Sequence, residues 1–303
     1  MAINQAVLFT KPLWHTNLSI TDNELGGFVK SFFEEKGFYF RTIKKVNGLY
    51  LKNNNIIDQH YIIYSNSAKA SSLDKINITN EGKNLFQKFF KKSWSDEIHN
   101  KRILTAQELM LLKNLSHKDI SLLWNKNIED HPVYKIDSGL FMKFSIDVDA
   151  YLINGFYLDM SYNFYNPNFN MNYYVVEFES KDISWFDFRK KILGSTNCST
   201  ADKESFRGKM FKNFPVLNPG GDNFVHGSAG PLEGMIERLK HENKFCFSTN
   251  PIGVYLQTRN IDSIIFTRWL DKQSIQDLSY IFDQTEETNS DIIINFLDSI
   301  KFH

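Results

Sequence analysis

The residues best suited to chemistry lie in one stretch, Asn223-Phe-Val-His226-Gly-Ser228-Ala-Gly-Pro-Leu-Glu-Gly-Met-Ile-Glu237. Asn223 to Val225 read as the end of a short apolar strand. Gly227, Ser228 and Gly230 predict a tight turn, and Pro231 opens a helix at its first position, where a missing N–H costs little. His226 is therefore expected where a strand gives way to a helix amino end, a place that favours an anion. Glu237 falls in the second turn of that helix and can point back at the imidazole. A carboxylate accepting from one ring nitrogen fixes the tautomer and leaves the other nitrogen as nucleophile. The stretch alone fits a buried histidine in an ordinary turn equally well.

The elements that must position these residues follow from periodicity. Residues 5–10 predict a buried strand ending at Lys11-Pro12. Thr21-Asp-Asn caps a helix over 24–36 with Phe28, Phe32 and Phe33 at helical spacing, stopped by Gly37. Phe38 to Val46 alternates as a second strand, and Ile56 to Ser65, carrying Gln59-His60-Tyr61, predicts a short helix. Between 66 and 172 we expect a helix over Glu81 to Lys92 and two helices between Thr105 and Trp124. A β-hairpin is expected to join Phe141–Ile153 to Phe156–Tyr165 through Asn154-Gly155, followed by a loop over 163–172. Residues 173–179 predict a strand and 184–193 a helix, with 195–222 irregular. After the helix at 231–241 come a strand near 263–267 and helices near 271–283 and 290–301.

Composition narrows the class. With 35 Lys+Arg against 35 Asp+Glu the net charge is +0, so no global field recruits nucleic acid or an anionic membrane. No apolar run reaches membrane-spanning length and the amino end does not resemble a signal peptide. Cys198 and Cys246 lack metal-ligand spacing, which suits a reducing cytoplasm. Phe86, Phe89 and Phe90 read as core. The aromatic segment 156–174 reads as edge-strand packing, and Asp147 and Asp149 as a solvated strand face. No metal ligand set emerges from the side chains.

Taken together, the separated pieces resemble the nucleoside diphosphate kinase family. The strand ending in Lys11-Pro12 resembles that family's strand ending in Lys-Pro-Asp, and His60-Tyr61 its His-Tyr pair. Gly194-Ser-Thr196-Asn197 is similar to its Gly-x-Thr-Asn turn, and Arg207-Gly208 stands ten residues past Asn197, as the family's Arg-Gly does. Asn223-x-x-His226-Gly-Ser228 matches the family's signature around its histidine, and the family's glutamate eleven residues later falls on Glu237. The match covers roughly 5–61 and 173–241.

The resemblance implies an α+β fold with a ferredoxin-like βαββαβ core over 1–65 and 173–242, a large inserted segment at 66–172 and a C-terminal extension at 243–303. It implies ping-pong transfer of a γ-phosphoryl group from a nucleoside triphosphate to a nucleoside diphosphate or related phosphorylated acceptor. His226 would be the nucleophile, with Glu237 and Ser228 orienting it. Lys11 and Arg207 would hold phosphates, Thr196 would donate to one, Tyr61 would help seat Lys11, and Asn223 would reach a sugar hydroxyl. Mg²⁺ would arrive with the nucleotide, and a homo-oligomer is expected.

The chain also departs from the pattern. The family's further phosphate-contacting arginine is Lys190 here, with Arg189 beside it, which keeps the charge and loses the planar fork. The aspartate after His-Gly-Ser is Ala229. The aspartate after Lys-Pro is Leu13, followed by Trp14-His15. Two other readings of the same pocket compete: a nucleotidyltransferase or nucleotide-hydrolysing enzyme, and a non-catalytic nucleotide-sensing module.

Overall fold

Asn4 to Thr10 are buried without a break, and a strand buried on both faces needs paired edges and cover on both sides. In the computed structural model, which describes residues 3–13, 20–126 and 129–302, this strand has both. Trp14-His15 lies outside the described residues. The chain divides into two units, Met1–Asn54 with Asn166–His303, and Asn55–Tyr165. Eight strands are described: β1 Ile3–Thr10, β2 Tyr39–Asn47, β3 Ile103–Thr105, β4 Tyr134–Asp137, β5 Leu140–Ser145, β6 Ala150–Ile153, β7 Asn170–Glu179 and β8 Val225–Gly227.

The first unit holds one sheet in the order β2-β7-β1-β8, every neighbouring pair antiparallel. That order, with the first and third strands of the sheet central and the second and fourth at its edges, is the order of a ferredoxin-like βαββαβ core. The fold is α+β. Side chains alternate across β1. Ala6 and Leu8 join Tyr174, Val176 and Phe178 of β7 beneath Leu25, Val29 and Phe33 of the Asp22–Glu35 helix, with Trp185, Phe188, Phe206 and Met210 alongside. Thr21 and Glu24 close a capping box on that helix, which satisfies two amino-terminal N–H groups.

Gln5, Val7 and Phe9 face the other way, toward the Pro231–His241 helix. Helix and strand meet at Gly234, where a Cβ would lie 3.0 Å from the Gln5 carbonyl and 3.2 Å from Ser228 Oγ. A larger residue would push the helix off the strand. Beyond it, Leu232, Met235 and Ile236 join a second core with Phe247, Leu256, Phe266, Trp269, Ile281 and Leu297, so residues 243–303 are a helical layer with its own packing.

The second unit carries a sheet in the order β3-β6-β5-β4, with β3–β6 parallel and the other pairs antiparallel. Phe86 is fully buried here, and Phe89 stacks on Tyr134 with ring centres 4.5 Å apart. This aromatic face is core.

Several local readings are corrected. The hairpin is β5–β6, turning at 146–149 with Asp149 at φ 50°, so Asp147 and Asp149 sit in the turn and not on a strand face. Asn154 does take the left-handed conformation, φ 46°. Its amide accepts from Phe141 N–H at 2.9 Å and donates to Ser67 Oγ at 2.6 Å, which fixes the exit from β6. The next element is a helix, Tyr157–Phe164, in place of a second hairpin strand. Residues 263–267 lie in the Ser263–Asp271 helix, because Asp262 caps the N–H groups of Ile264 and Ile265. The irregular 195–222 segment contains a helix, Phe206–Asn213, capped by Ser205.

Candidate functional site

His226 lies on β8 opposite Phe9 of β1, and its ring stacks on the Phe9 ring with centres 4.4 Å apart and planes 15° from parallel. The edge is fixed as firmly as the face. Nε2 lies 2.7 Å from Glu237 Oε1, and Ser228 Oγ donates to Glu237 Oε2 at 2.5 Å. Ser228 is itself tied to β1, accepting from Val7 N–H at 2.8 Å and donating its own N–H to the Val7 carbonyl at 3.0 Å. Strand, turn and helix thus lock one imidazole. When Glu237 is ionised it can only accept, so Nε2 carries the hydrogen and the lone pair resides on Nδ1.

Burial dominates the protonation of these groups. It holds the His226 imidazole well below its usual range; Glu233 opposes that, and the charges of Lys11, Arg207 and Arg189 reinforce it. His226 is therefore a neutral base facing three cations. Burial pushes Glu237 up to about 8, against the pull of the Ser228 hydroxyl. It also pushes Glu233, one turn earlier on the helix, up to about 7, helped by the charge of Glu237.

The cations come from separate elements. Lys11 follows β1, its N–H bonded to the Phe224 carbonyl at 2.8 Å. Burial, then Arg207, lowers its ammonium to about 7, while Asp222 and Cys198 act in the opposite direction. Arg207 is 4% exposed and donates to the carbonyls of Gly194 and Val225, both at 2.8 Å. It joins the Gly194 turn to β8.

Asn223 is fully buried, and its amide donates to the Thr196 carbonyl at 2.8 Å. Its Oδ1 accepts no hydrogen bond among the described residues. Next to it, Phe224 holds φ 68° in a turn closed by Val225 N–H to the Asn223 carbonyl at 2.8 Å. A bulky residue in that region costs on the order of 1–3 kcal/mol. Strain is thus stored two residues before His226.

The other expected phosphate ligands differ in place. Thr196 is exposed on the Gly194 turn. Arg189 and Lys190 lie in a short π-helix, Phe188–Leu193. Arg189 donates to the Gly227 carbonyl at 3.0 Å and faces Glu286 at 3.4 Å and Glu287 at 3.9 Å. Lys190 pairs with Glu287 at 2.6 Å. The start of the Pro231–His241 helix is covered too: Glu287 N–H donates to the Ala229 carbonyl at 2.9 Å, and a Cβ on Gly230 would meet the Thr285 carbonyl at 2.5 Å. Tyr61 belongs to the second unit, between the Ile56–His60 and Ile62–Ala68 helices, with its ring 4.4 Å from His60.

Sequence reasoning missed Glu233, Asp222, Glu286 and Glu287. Glu233 had a signal, since residues four apart share a helix face with Glu237. Glu286 and Glu287 had none, standing almost a hundred residues from the cations they meet.

No protein family's sequence profile matches the chain, and no curated protein matches it. Among solved structures it is similar to the nucleoside diphosphate kinase of Aquifex aeolicus, at 11% identity and TM-score 0.37 over 79% of this chain and 95% of that one. It is also similar to an NDP kinase from Pyrobaculum aerophilum, at 13% identity and TM-score 0.35 over 78% of this chain and 94% of that one. Likenesses this loose carry no argument. Among the described residues no helix is long and apolar enough to cross a membrane.

Proposed function

We propose that the chain is a phosphotransferase acting through a phosphohistidine at His226. Nδ1 attacks the γ-phosphorus of a nucleoside triphosphate, the N–P bond forms, and the β,γ-bridging P–O bond breaks with its electron pair leaving on the diphosphate. A terminal phosphate oxygen of a nucleoside diphosphate, or of a related phosphorylated acceptor, then takes the group and the N–P bond breaks. In its ionised form Glu237 keeps the hydrogen on Nε2 and stabilises the charge that grows on the ring, and Ser228 holds Glu237. Lys11 and Arg207 supply fixed positive charge, which carries most of the catalysis in phosphoryl transfer. Asn223 offers an acceptor for a hydroxyl, and Mg²⁺ enters on the nucleotide.

The observation that carries this reading is the Ser228–Glu237–His226 chain at 2.5 and 2.7 Å on a ring that feels Lys11 and Arg207. Simple nucleotide binding has no use for an imidazole oriented in this way. Incubation with γ-labelled ATP is expected to leave acid-labile, alkali-stable label on the protein, absent in His226→Asn and discharged by diphosphates. Folded protein that takes up no label would overturn the proposal. Label retained from the α-phosphate would indicate nucleotidyl transfer instead.

A further inference from the structure

We propose that Phe9 is a positioning residue for His226, and that its ring face stabilises the positive charge phosphorylation places on the imidazole. The proposal rests on His226 being the nucleophile. Strand register brings the parts together. Phe9 of β1 is paired with His226 of β8 on one side and with Tyr173 of β7 on the other, and Tyr173 is paired with Lys44 of β2. Cross-strand partners project to the same face of a sheet. The four side chains therefore form one row across all four strands. The last residue of the Pro231–His241 helix packs onto that row. The His241 ring centre lies 5.3 Å from that of Tyr173 and 5.5 Å from that of Phe9. Lys44 Nζ donates to the His241 carbonyl at 2.8 Å and stands 4.5 Å from the centre of the Tyr173 ring. Phe9 is thus fully buried and held both by its own strand and by the helix.

A hydrogen bond at one edge leaves an imidazole free to swivel about that contact. A near-parallel ring 4.4 Å away removes the swivel and fixes the line along which Nδ1 points. The chemistry adds a second role. Burial keeps the free imidazole neutral. When the N–P bond forms at Nδ1 and the P–O bond to the leaving diphosphate breaks, the hydrogen stays on Nε2 and the ring becomes positively charged. Lys11, Arg207 and Arg189 oppose that charge, and Glu237 balances it at one edge. The face of a benzene ring is the negative end of its quadrupole, and a desolvated cation within about 6 Å of its centre is attracted to it. This attraction is weak for a neutral imidazole and grows as the bond forms, so it acts on the rate and not on nucleotide binding. With no exposed surface, Phe9 does not meet the nucleotide. A leucine would fill space there without offering that face.

The test changes the electrons of the ring and keeps its shape. Full-length protein in which Phe9 is replaced by mono-, di- or trifluorophenylalanine should form phosphohistidine from γ-labelled ATP progressively more slowly. The trifluoro ring is expected to lower the rate about tenfold, with triphosphate affinity within about twofold of wild type. Phe9→Leu should lose at least as much. It should also lose the upfield ring-current shift of the His226 ring protons in ¹H NMR, assigned with His226→Asn. Equal rates across the fluorinated series overturn the proposal, because packing alone then accounts for the ring. Unshifted His226 protons in wild type overturn it too. If Phe9→Leu does not fold, the fluorinated series decides. Label in wild type with a flat series refutes the role of Phe9 alone, whereas wild type that never takes label refutes the phosphotransfer reading and this role with it.

Discussion

Two pairs of cations flank the His226 strand, and they differ in what their neighbours leave available. Arg207 is buried and Lys11 half-buried, with Asp222 the one carboxylate among the charges acting on Lys11. Burial and mutual repulsion destabilise that ammonium, and an incoming phosphate relieves both. Arg189 and Lys190 carry the same formal charge but face Glu286 and Glu287 at 2.6 to 3.9 Å. An anion gains little from cations already matched. Formal charge counts residues, whereas binding depends on charge left uncompensated in a place where water is scarce.

Four variants sharpen or break this contrast. Lys11→Met should have the largest effect, lowering the rate of His226 phosphorylation on the order of a hundredfold. Its pH dependence is a second check. In the folded protein the amine titrates near about 7 instead of 10.5, so the native state binds fewer protons between those values. The cost of burying the charge is thus absent above the upper limit and fully present below the lower one. Urea midpoints of wild type should fall relative to Lys11→Met as pH drops through that window, while triphosphate affinity rises. Parallel midpoints would dissolve the contrast.

Arg207→Lys should cost about 2–3 kcal/mol of stability by chemical denaturation, because one ammonium cannot serve the carbonyls of Gly194 and Val225 together in the guanidinium's geometry. The double variant Glu286→Gln, Glu287→Gln releases the other pair. Triphosphate affinity measured by calorimetry should then rise about threefold to tenfold at low salt and converge on wild type at high salt. Unchanged affinity would show that Arg189 and Lys190 lie out of reach of the ligand. Lys190→Ala should change affinity by less than about twofold, since its ammonium is half exposed and already paired.

Short-range features were the legible ones. Thr21-Asp-Asn announced a helix cap, and β1 announced itself by an apolar run. The His226–Glu237 contact was readable because a strand, a tight turn and two helical turns fix the geometry within eleven residues. Reasoning failed where a local signal was ambiguous or absent. Asn154-Gly155 correctly marks a left-handed backbone but says nothing of the next element, which is the Tyr157–Phe164 helix. Ile264-Ile265-Phe266 has strand composition, and the cap from Asp262 outweighs it. Glu286 and Glu287 reach Arg189 and Lys190 only because the helical layer at 243–303 folds back on the sheet, an outcome that no local pattern contains.

β1 carries the stacking ring of Phe9, the backbone groups of Val7 that hold Ser228, and, one step beyond its end, Lys11. Their spacing of two places all three on one side of the strand. Adding or deleting a single codon within Ile3–Thr10 would turn that side over. The imidazole's support, the serine's anchor and the amine would disappear together, whereas similar length changes in the surrounding loops would leave the constellation intact. Descendants of this gene should therefore tolerate length variation in the surrounding loops far better than in these eight residues.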